Sequence, residues 1–289
     1  MKIGAPAKIN LFLSVGARRE DGLHELVSVM QAVTLADEVS LTPADDLFID
    51  VEPEGAVPAD GTNLAGRAAR AFAALQGAPP HVRIGLHKSI PVAAGLAGGS
   101  ADAAAVLVGM NDLWRAGVSR KGLERIASGL GSDVPFCVRG GTALVEGGGE
   151  LLVSLGVRAP MWWVLGISDQ PLATADVYRR FDERGGGSLG DPHGLADALA
   201  RGDLGRVAAE VRNDLQSAAI HLAPSIAAGG DVLRGAGALA AMISGSGPTW
   251  LGLARDEQHA RAIAAATSEA FVRVEVVSSQ AHGPRITQR

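Results

Sequence analysis

Pro91-Val92-Ala93-Ala94-Gly95-Leu96-Ala97-Gly98-Gly99-Ser100-Ala101-Asp102-Ala103-Ala104-Ala105-Val106 is the stretch whose reading decides the fold. Three glycines lead to Ser100 and then to an alanine-rich run, the pattern of a loop followed by a helix with Ser100 at its N-cap. Glycines let successive backbone N–H groups turn toward a ligand, and a helix N-terminus adds unpaired donors and a positive dipole. The pattern predicts an anion site suited to phosphate, although a packing turn of small residues has the same composition. Neither G-x-x-x-x-G-K-[ST] nor a G-x-G-x-x-G following a strand is present, so any cation for the phosphate must come from elsewhere in the chain. Asp102 falls in the first helical turn, where it suits the dipole but repels phosphate unless it points away or helps to hold a metal.

Upstream of the loop, Val82, Ile84 and Leu86 alternate as a strand that ends at Lys88. Before it, Thr62 caps a predicted helix carrying Leu64, Ala68, Phe72 and Leu75, and residues 39–41 and 47–51 read as short strands of a meander. Residues 7–15 alternate more clearly: Ile9, Leu11, Leu13 and Val15 share one face of a strand, and Lys8, Asn10, Phe12 and Ser14 the other. Taken alone, Lys8 reads as an ordinary solvated lysine. Residues 18–22 form a charged turn before His24, which alone reads as an exposed or core-satisfied histidine.

Downstream, a helix from Ser119 with Leu123, Ile126 and Leu130 in register is expected to stop at Gly131 in a left-handed cap. Asp133 follows in a tight connection, where it either caps the next turn or serves as a pre-positioned functional carboxylate. Residues 141–146 and 150–155 form a hairpin about three glycines. The boundary between two domains is drawn at 157/158, giving 1–157 and 158–289. Beyond it the expected order is a buried strand over 161–167, a helix capped by Thr174 that carries Val177, Tyr178 and Phe181, and a glycine-rich loop over 185–194. A helix from Asp203 to about 222 follows, then strands at 240–244 and 249–254, a helix from Glu257 and a closing strand at 272–277. That order matches a ferredoxin-like split βαβ.

The whole chain of 289 residues, 47% hydrophobic and 20% charged, is long enough for a substantial core and has the composition of a folded globular protein. A net charge of -5 without a long basic run argues against nucleic acid as partner. The single cysteine, Cys137, excludes an internal disulfide framework and a cysteine-based zinc site. No apolar run has membrane-spanning length, and the first residues have no apolar signal core. The expected setting is cytoplasmic, with no membrane partner.

Four separated stretches now agree. Residues 6–11 (Pro-Ala-Lys-Ile-Asn-Leu) with 21–24 (Asp-Gly-Leu-His), the loop 91–105, and 243–248 (Ile-Ser-Gly-Ser-Gly-Pro) resemble, in order, the three signature motifs of the GHMP kinases, and 130–136 (Leu-Gly-Ser-Asp-Val-Pro-Phe) adds a fourth. The resemblance extends over essentially the whole chain. It is closest to the members that act on a methylerythritol alcohol linked to cytidine diphosphate.

The resemblance implies an α+β, two-domain GHMP-kinase fold, with an N-terminal ATP-binding α/β domain and a ferredoxin-like C-terminal domain. It implies an ATP- and Mg²⁺-dependent kinase acting on an alcohol in isoprenoid precursor synthesis, as a monomer or homodimer. Matched residue by residue, Asp133 is the general base and Lys8 its partner, and residues Pro91 to Ala101 hold the nucleotide, with Ser100 a ligand of Mg²⁺. For the ion the chain offers no carboxylate beyond Asp133 and Asp102. Asn10, His24, Lys88, Thr174, Tyr178 and Gly245 match substrate-lining positions. One departure stands out: Leu23 occupies the place where the family usually has a tyrosine to stack on the base. Rival readings are a kinase of homoserine, mevalonate or a sugar, and a non-catalytic ligand sensor, against which the presence of both Lys8 and Asp133 counts. A dinucleotide-dependent oxidoreductase has the wrong glycine pattern.

Overall fold

A computed structural model describes residues 1–20 and 22–289; Asp21, part of the first motif, lies outside the described residues. The chain begins with two long strands, β1 (Lys2–Arg18) and β2 (His24–Pro43), followed by β3 (Phe48–Glu52), α1 (Leu64–Leu75) and β4 (Val82–His87). Then come α2 (Gly98–Leu113), α3 (Arg120–Ser128), α4 (Val134–Arg139), β5 (Thr142–Gly147) and β6 (Leu151–Ser154). The second half holds β7 (Trp162–Ile167), α5 (Thr174–Glu183), α6 (His193–Arg201), α7 (Leu204–Glu210), β8 (Arg212–Asn213), α8 (Gln216–Leu222) and α9 (Gly229–Gly235). It closes with β9 (Ala241–Ile243), β10 (Trp250–Ala254), α10 (Glu257–Thr267), β11 (Arg273–Ser278) and β12 (Arg285–Gln288).

Eight strands form the first sheet, in the order β12-β1-β2-β4-β3 with β5, β6 and β8 attached to it. β2 is long enough to serve two neighbours on one edge. Its start, Leu26 to Gln31, pairs with β5, and its end, Glu38 to Pro43, pairs with β4. β1 runs antiparallel to β2, with register shifts between Pro6 and Lys8 and between Asn10 and Phe12. Irregularities of this kind re-aim side chains, and here they bracket the two polar residues of the first motif. α2 packs onto the sheet with Ala101 through Leu107 buried; alanines on almost every side let the helix approach both the strands and α1 closely.

β3 runs parallel to β4, not in the expected meander. A parallel pair needs a crossover, which α1 provides. The cap of α1 is Asn63, whose side chain accepts from Ala65 N, while Thr62 is engaged by Asp60. α3 does start at Ser119, but it ends on Gly129 in a right-handed conformation, and Gly131 is not a left-handed cap. Thr174 is the first residue of α5, with Ala173 in the cap position.

The second sheet has the order β11-β7-β10-β9, all antiparallel, as a split βαβ requires. β7 is buried on both faces: Trp163, Leu165 and Ile167 join the core of the first sheet, and Val164 the core beneath the second. The single helix expected over 203–222 is interrupted, because Arg212 and Asn213 pair in parallel with Phe12 and Leu13 of β1. β12 likewise returns to β1 from the end of the chain. Both strands lie beyond residue 157 in sequence yet belong to the first sheet. Among the described residues no helix is long and apolar enough to cross a membrane.

Candidate active site

The loop between β4 and α2 is held by its backbone. Asp37 on β2 accepts from Ser89 N at 2.6 Å and Ile90 N at 2.7 Å, which fixes the start of the loop. Ala94 and Leu96 are buried anchors. Lys8 N donates to Leu96 O at 3.1 Å, so the irregular strand bonds to the loop where its own ladder is broken. Gly95 has φ +76, and a Cβ there would stand 2.3 Å from Ser244 O, so only glycine fits. Ser244 Oγ also donates to Gly95 O at 3.1 Å. The segment 244–248 thus seats directly on the glycine loop.

α2 starts at Gly98, and Ala97, in the left-handed region, occupies the cap position without a side-chain bond. Ser100 is therefore the third residue of the helix and not its cap. No side chain covers the first-turn N–H groups, which leaves them to a ligand.

Lys8 is 5% exposed, not solvated. Its Nζ donates to Asn10 Oδ1 at 2.7 Å and to Gly95 O at 3.3 Å, and lies 3.6 Å from Asp133 Oδ2. Asn10 is held from its other end by Nδ2 donating to Ser28 Oγ at 2.9 Å. Asp133 occupies the cap position of α4, yet its side chain makes no capping bond. The carboxylate, 29% exposed, faces the ammonium instead. One turn on, burial and the Asp133 charge push the Cys137 thiol far up, so it stays protonated and unreactive.

Lys8, Asn10 and Asp133 line one cavity of about 870 Å³, together with Gly98, Gly99, His24, Thr174, Tyr178 and Gly245. Thr174 Oγ1 is 3.0 Å from Ser246 Oγ and ties α5 to the third motif. Gly245 sits against Asn10 and Lys8: a Cβ there would lie 3.2 Å from Asn10 Oδ1 and 3.4 Å from Lys8 Nζ. His24 is stacked at a tilt on Tyr178, ring centroids 5.0 Å apart, and its Nε2 is 2.8 Å from Asp182 Oδ1. Burial, aided by the Asp133 charge, raises the Tyr178 hydroxyl well above its ordinary range. Leu23, 52% exposed, lines the same cavity.

Five of the expected residues are placed differently from the rest. Ala94, Leu96 and Ala101 are buried in the core and Ser100 is not on the cavity wall. Lys88 Nζ is enclosed between the Asp37 and Asp102 carboxylates under the loop. Burial raises the Asp102 pKa to about 7, with the Lys88 charge opposing the rise. Asp102 Oδ1 is buried without a hydrogen-bond partner. Sequence reasoning gave no role to Asp37, Ser244 or Asp182. Ser244 stood within the third motif and Asp182 one helical turn beyond Tyr178 on α5; Asp37 left no signal.

Residues 63–141 match the family described as GHMP kinases N terminal domain, and residues 195–273 match GHMP kinases C terminal, together more than half of the chain. The chain belongs to the GHMP kinases. It is 46% identical over 292 residues to the 4-diphosphocytidyl-2-C-methyl-D-erythritol kinase of Salinispora tropica, covering 98% of this chain and 92% of that one. The crystal structure of a 4-(cytidine 5'-diphospho)-2C-methyl-D-erythritol kinase superposes with a TM-score of 0.79 at 36% identity, covering 96% and 99% of the two chains. A homoserine kinase from Cytophaga hutchinsonii superposes almost as well, with a TM-score of 0.78 at 21% identity over 99% and 96%. That likeness reaches the fold alone, so shape does not select the acceptor alcohol. This GHMP kinase is a small-molecule kinase that uses ATP.

Proposed function

We propose that this GHMP kinase transfers the γ-phosphoryl group of ATP to the tertiary 2-hydroxyl of 4-diphosphocytidyl-2-C-methyl-D-erythritol, giving the 2-phosphate and ADP. One observation carries the reading: the glycine loop, the Lys8–Asp133 pair and the His24–Tyr178 ring pair share a single cavity, as a nucleotide-linked alcohol reacting with ATP requires. Asp133 accepts the hydroxyl proton as the oxygen forms its bond to the γ-phosphorus and ADP leaves with the bridging electrons. Lys8 holds the carboxylate and the hydroxyl in line and offsets the negative charge of both. Donors at Gly98 and Gly99 and the open first turn of α2 receive phosphate oxygens. Asn10 fixes Lys8, Gly245 and Thr174 shape the substrate side, and Lys88 supports the loop from below.

Among the described residues no cluster of three acidic, histidine or cysteine side chains could cage a metal. The residues present would suit Mg²⁺ carried by the nucleotide's phosphates, with Ser100 Oγ, in the first turn of α2 beside the cavity, as the protein group that would hold it. When bound, the ion neutralises charge on the phosphates. The acidic net charge without a basic run argues against nucleic acid as a partner; the enzyme proposed is cytoplasmic and a monomer or homodimer.

Mg²⁺-dependent ADP release tests the reading, with the cytidyl alcohol compared against homoserine, mevalonate and galactose. Turnover is expected only with the cytidyl substrate. Turnover with another alcohol overturns the substrate, and ATP binding without turnover on any of them favours a sensor. A second measurement addresses the base pocket. Leu23→Tyr adds a second aromatic face to the cavity lining beside that of Tyr178 and is expected to tighten substrate binding severalfold, the equivalent of about 1 kcal/mol of stacking. A weaker Kd by calorimetry, with folding intact, would show that cytosine does not lie against position 23.

A further inference from the structure

In the same cavity, three side chains form a unit with no part in phosphoryl transfer. His24 is 8% exposed, its ring leans on Tyr178, and its Nε2 lies 2.8 Å from Asp182 Oδ1. Tyr178 and Asp182 are four residues apart on α5 and so project from one face of the helix. All three line the cavity. Among the described residues no group bonds His24 Nδ1.

A neutral imidazole has one N–H and one lone pair, and the bond made by one nitrogen decides the role of the other. A carboxylate only accepts. With Asp182 receiving the Nε2–H, Nδ1 is an acceptor, and a ring placed against this wall meets a lone pair and not a proton. Cytosine and uracil differ at that level of detail: cytosine presents an exocyclic amine, a donor, where uracil presents a carbonyl, an acceptor.

We infer that Asp182 is a specificity-determining positioning residue, which by holding His24 in its Nε2–H form makes Nδ1 the acceptor for the amine of a cytosine ring and sets it against uracil. The inference rests on the cytidine-linked substrate proposed above. Asp182 does not touch the reacting atoms; it acts through His24. A site built to accept a hydrogen bond discriminates strongly against an analogue that offers a second acceptor, because two lone pairs then face each other without a proton.

Two measurements on the full-length protein test this. The first is ¹⁵N NMR of histidine-labelled enzyme, substrate-free, at neutral pH. The expected spectrum shows His24 protonated at Nε2 and unprotonated at Nδ1, with that preference lost in Asp182→Ala and kept in Asp182→Asn, whose amide oxygen still accepts. The second is kcat/KM for the cytidine-linked substrate against its uridine-linked analogue. In the wild type the cytidine form is expected to lead by at least about a hundredfold. Asp182→Ala is expected to cut that ratio by roughly tenfold, the loss falling in KM and leaving kcat within about twofold, and Asp182→Asn to restore most of it. A wild-type His24 protonated at Nδ1 overturns the inference, as does an unchanged ratio in Asp182→Ala. So does a lost ratio with an unchanged tautomer, which would place Asp182 itself on the base. Failure of the wild type to turn over the cytidine substrate overturns the proposed function instead, and the tautomer measurement still decides whether Asp182 sets His24.

Discussion

Asp133→Asn is expected to lower kcat by at least about a hundredfold while ATP binding stays nearly unchanged. A tertiary alcohol is a poor nucleophile at neutral pH, and its attack needs a nearby group that can take the proton. Asp133 is the carboxylate 3.6 Å from Lys8 Nζ, with no helix-capping bond to occupy it. An asparagine keeps the shape and accepts a hydrogen bond but cannot accept the proton. Lys8 retains Asn10 Oδ1 and Gly95 O as partners in the variant, so the strand and loop should remain joined. Single-turnover kinetics, nucleotide titration and a thermal melt separate the three quantities. A kcat near the wild-type value would remove Asp133 from the base role, and a lost melt transition would assign it to folding.

The ferredoxin-like order of the second half was legible because its main elements carry a local pattern: apolar runs at β7 and β10, alternation at β11, helical spacing on α5 and α10. β8 and β12 were not. Two and four residues hold no period, and what makes Arg212 and Asn213 a strand is the β1 edge they meet, with Asn213 Nδ2 bonded to Ile243 O and Gly245 O. The parallel pairing of β3 was hidden for a related reason, since pairing direction is decided by how α1 crosses over and not by the strand's own residues. At the site, the glycine loop announced itself by composition, whereas the burial of Lys8 did not. Its acceptors and its counter-charge come from Gly95 and Asp133, distant in sequence, and no local pattern records that they meet. Ser100 shows the reverse failure. Capping preference favoured it, but the glycines ahead of it already adopt helical geometry once Ala97 turns left-handed.

Lys88→Met is expected to cost about 3–5 kcal/mol of stability, a large share of the roughly 5–15 kcal/mol that holds a folded protein. The Lys88 ammonium is almost wholly buried between two carboxylates that are themselves buried, Asp37 and Asp102. Removing it leaves two buried negative groups facing each other without a cation. Asp37 keeps its bonds from Ser89 N and Ile90 N; Asp102, whose Oδ1 has no partner, must bear the change. The pH dependence follows from its sign. Burial holds Asp102 at about 7 in the folded protein, above its ordinary value, so its contribution to stability is present below the carboxylate range and lost as pH rises through about 7. Lys88 attraction opposes that rise, and without it the folded value climbs further. Urea unfolding should therefore show a smaller loss for Lys88→Met at pH 5 than at pH 8, and adding Asp102→Asn should recover part of the loss and flatten the pH slope. An equal loss at both pH values would show that Asp102 is not the responding group. Because Asp102 stands on α2 directly after the glycine loop, the same substitution should loosen the junction of loop and helix, and nucleotide affinity should fall with stability; Asp133→Asn, by contrast, is expected to leave affinity in place.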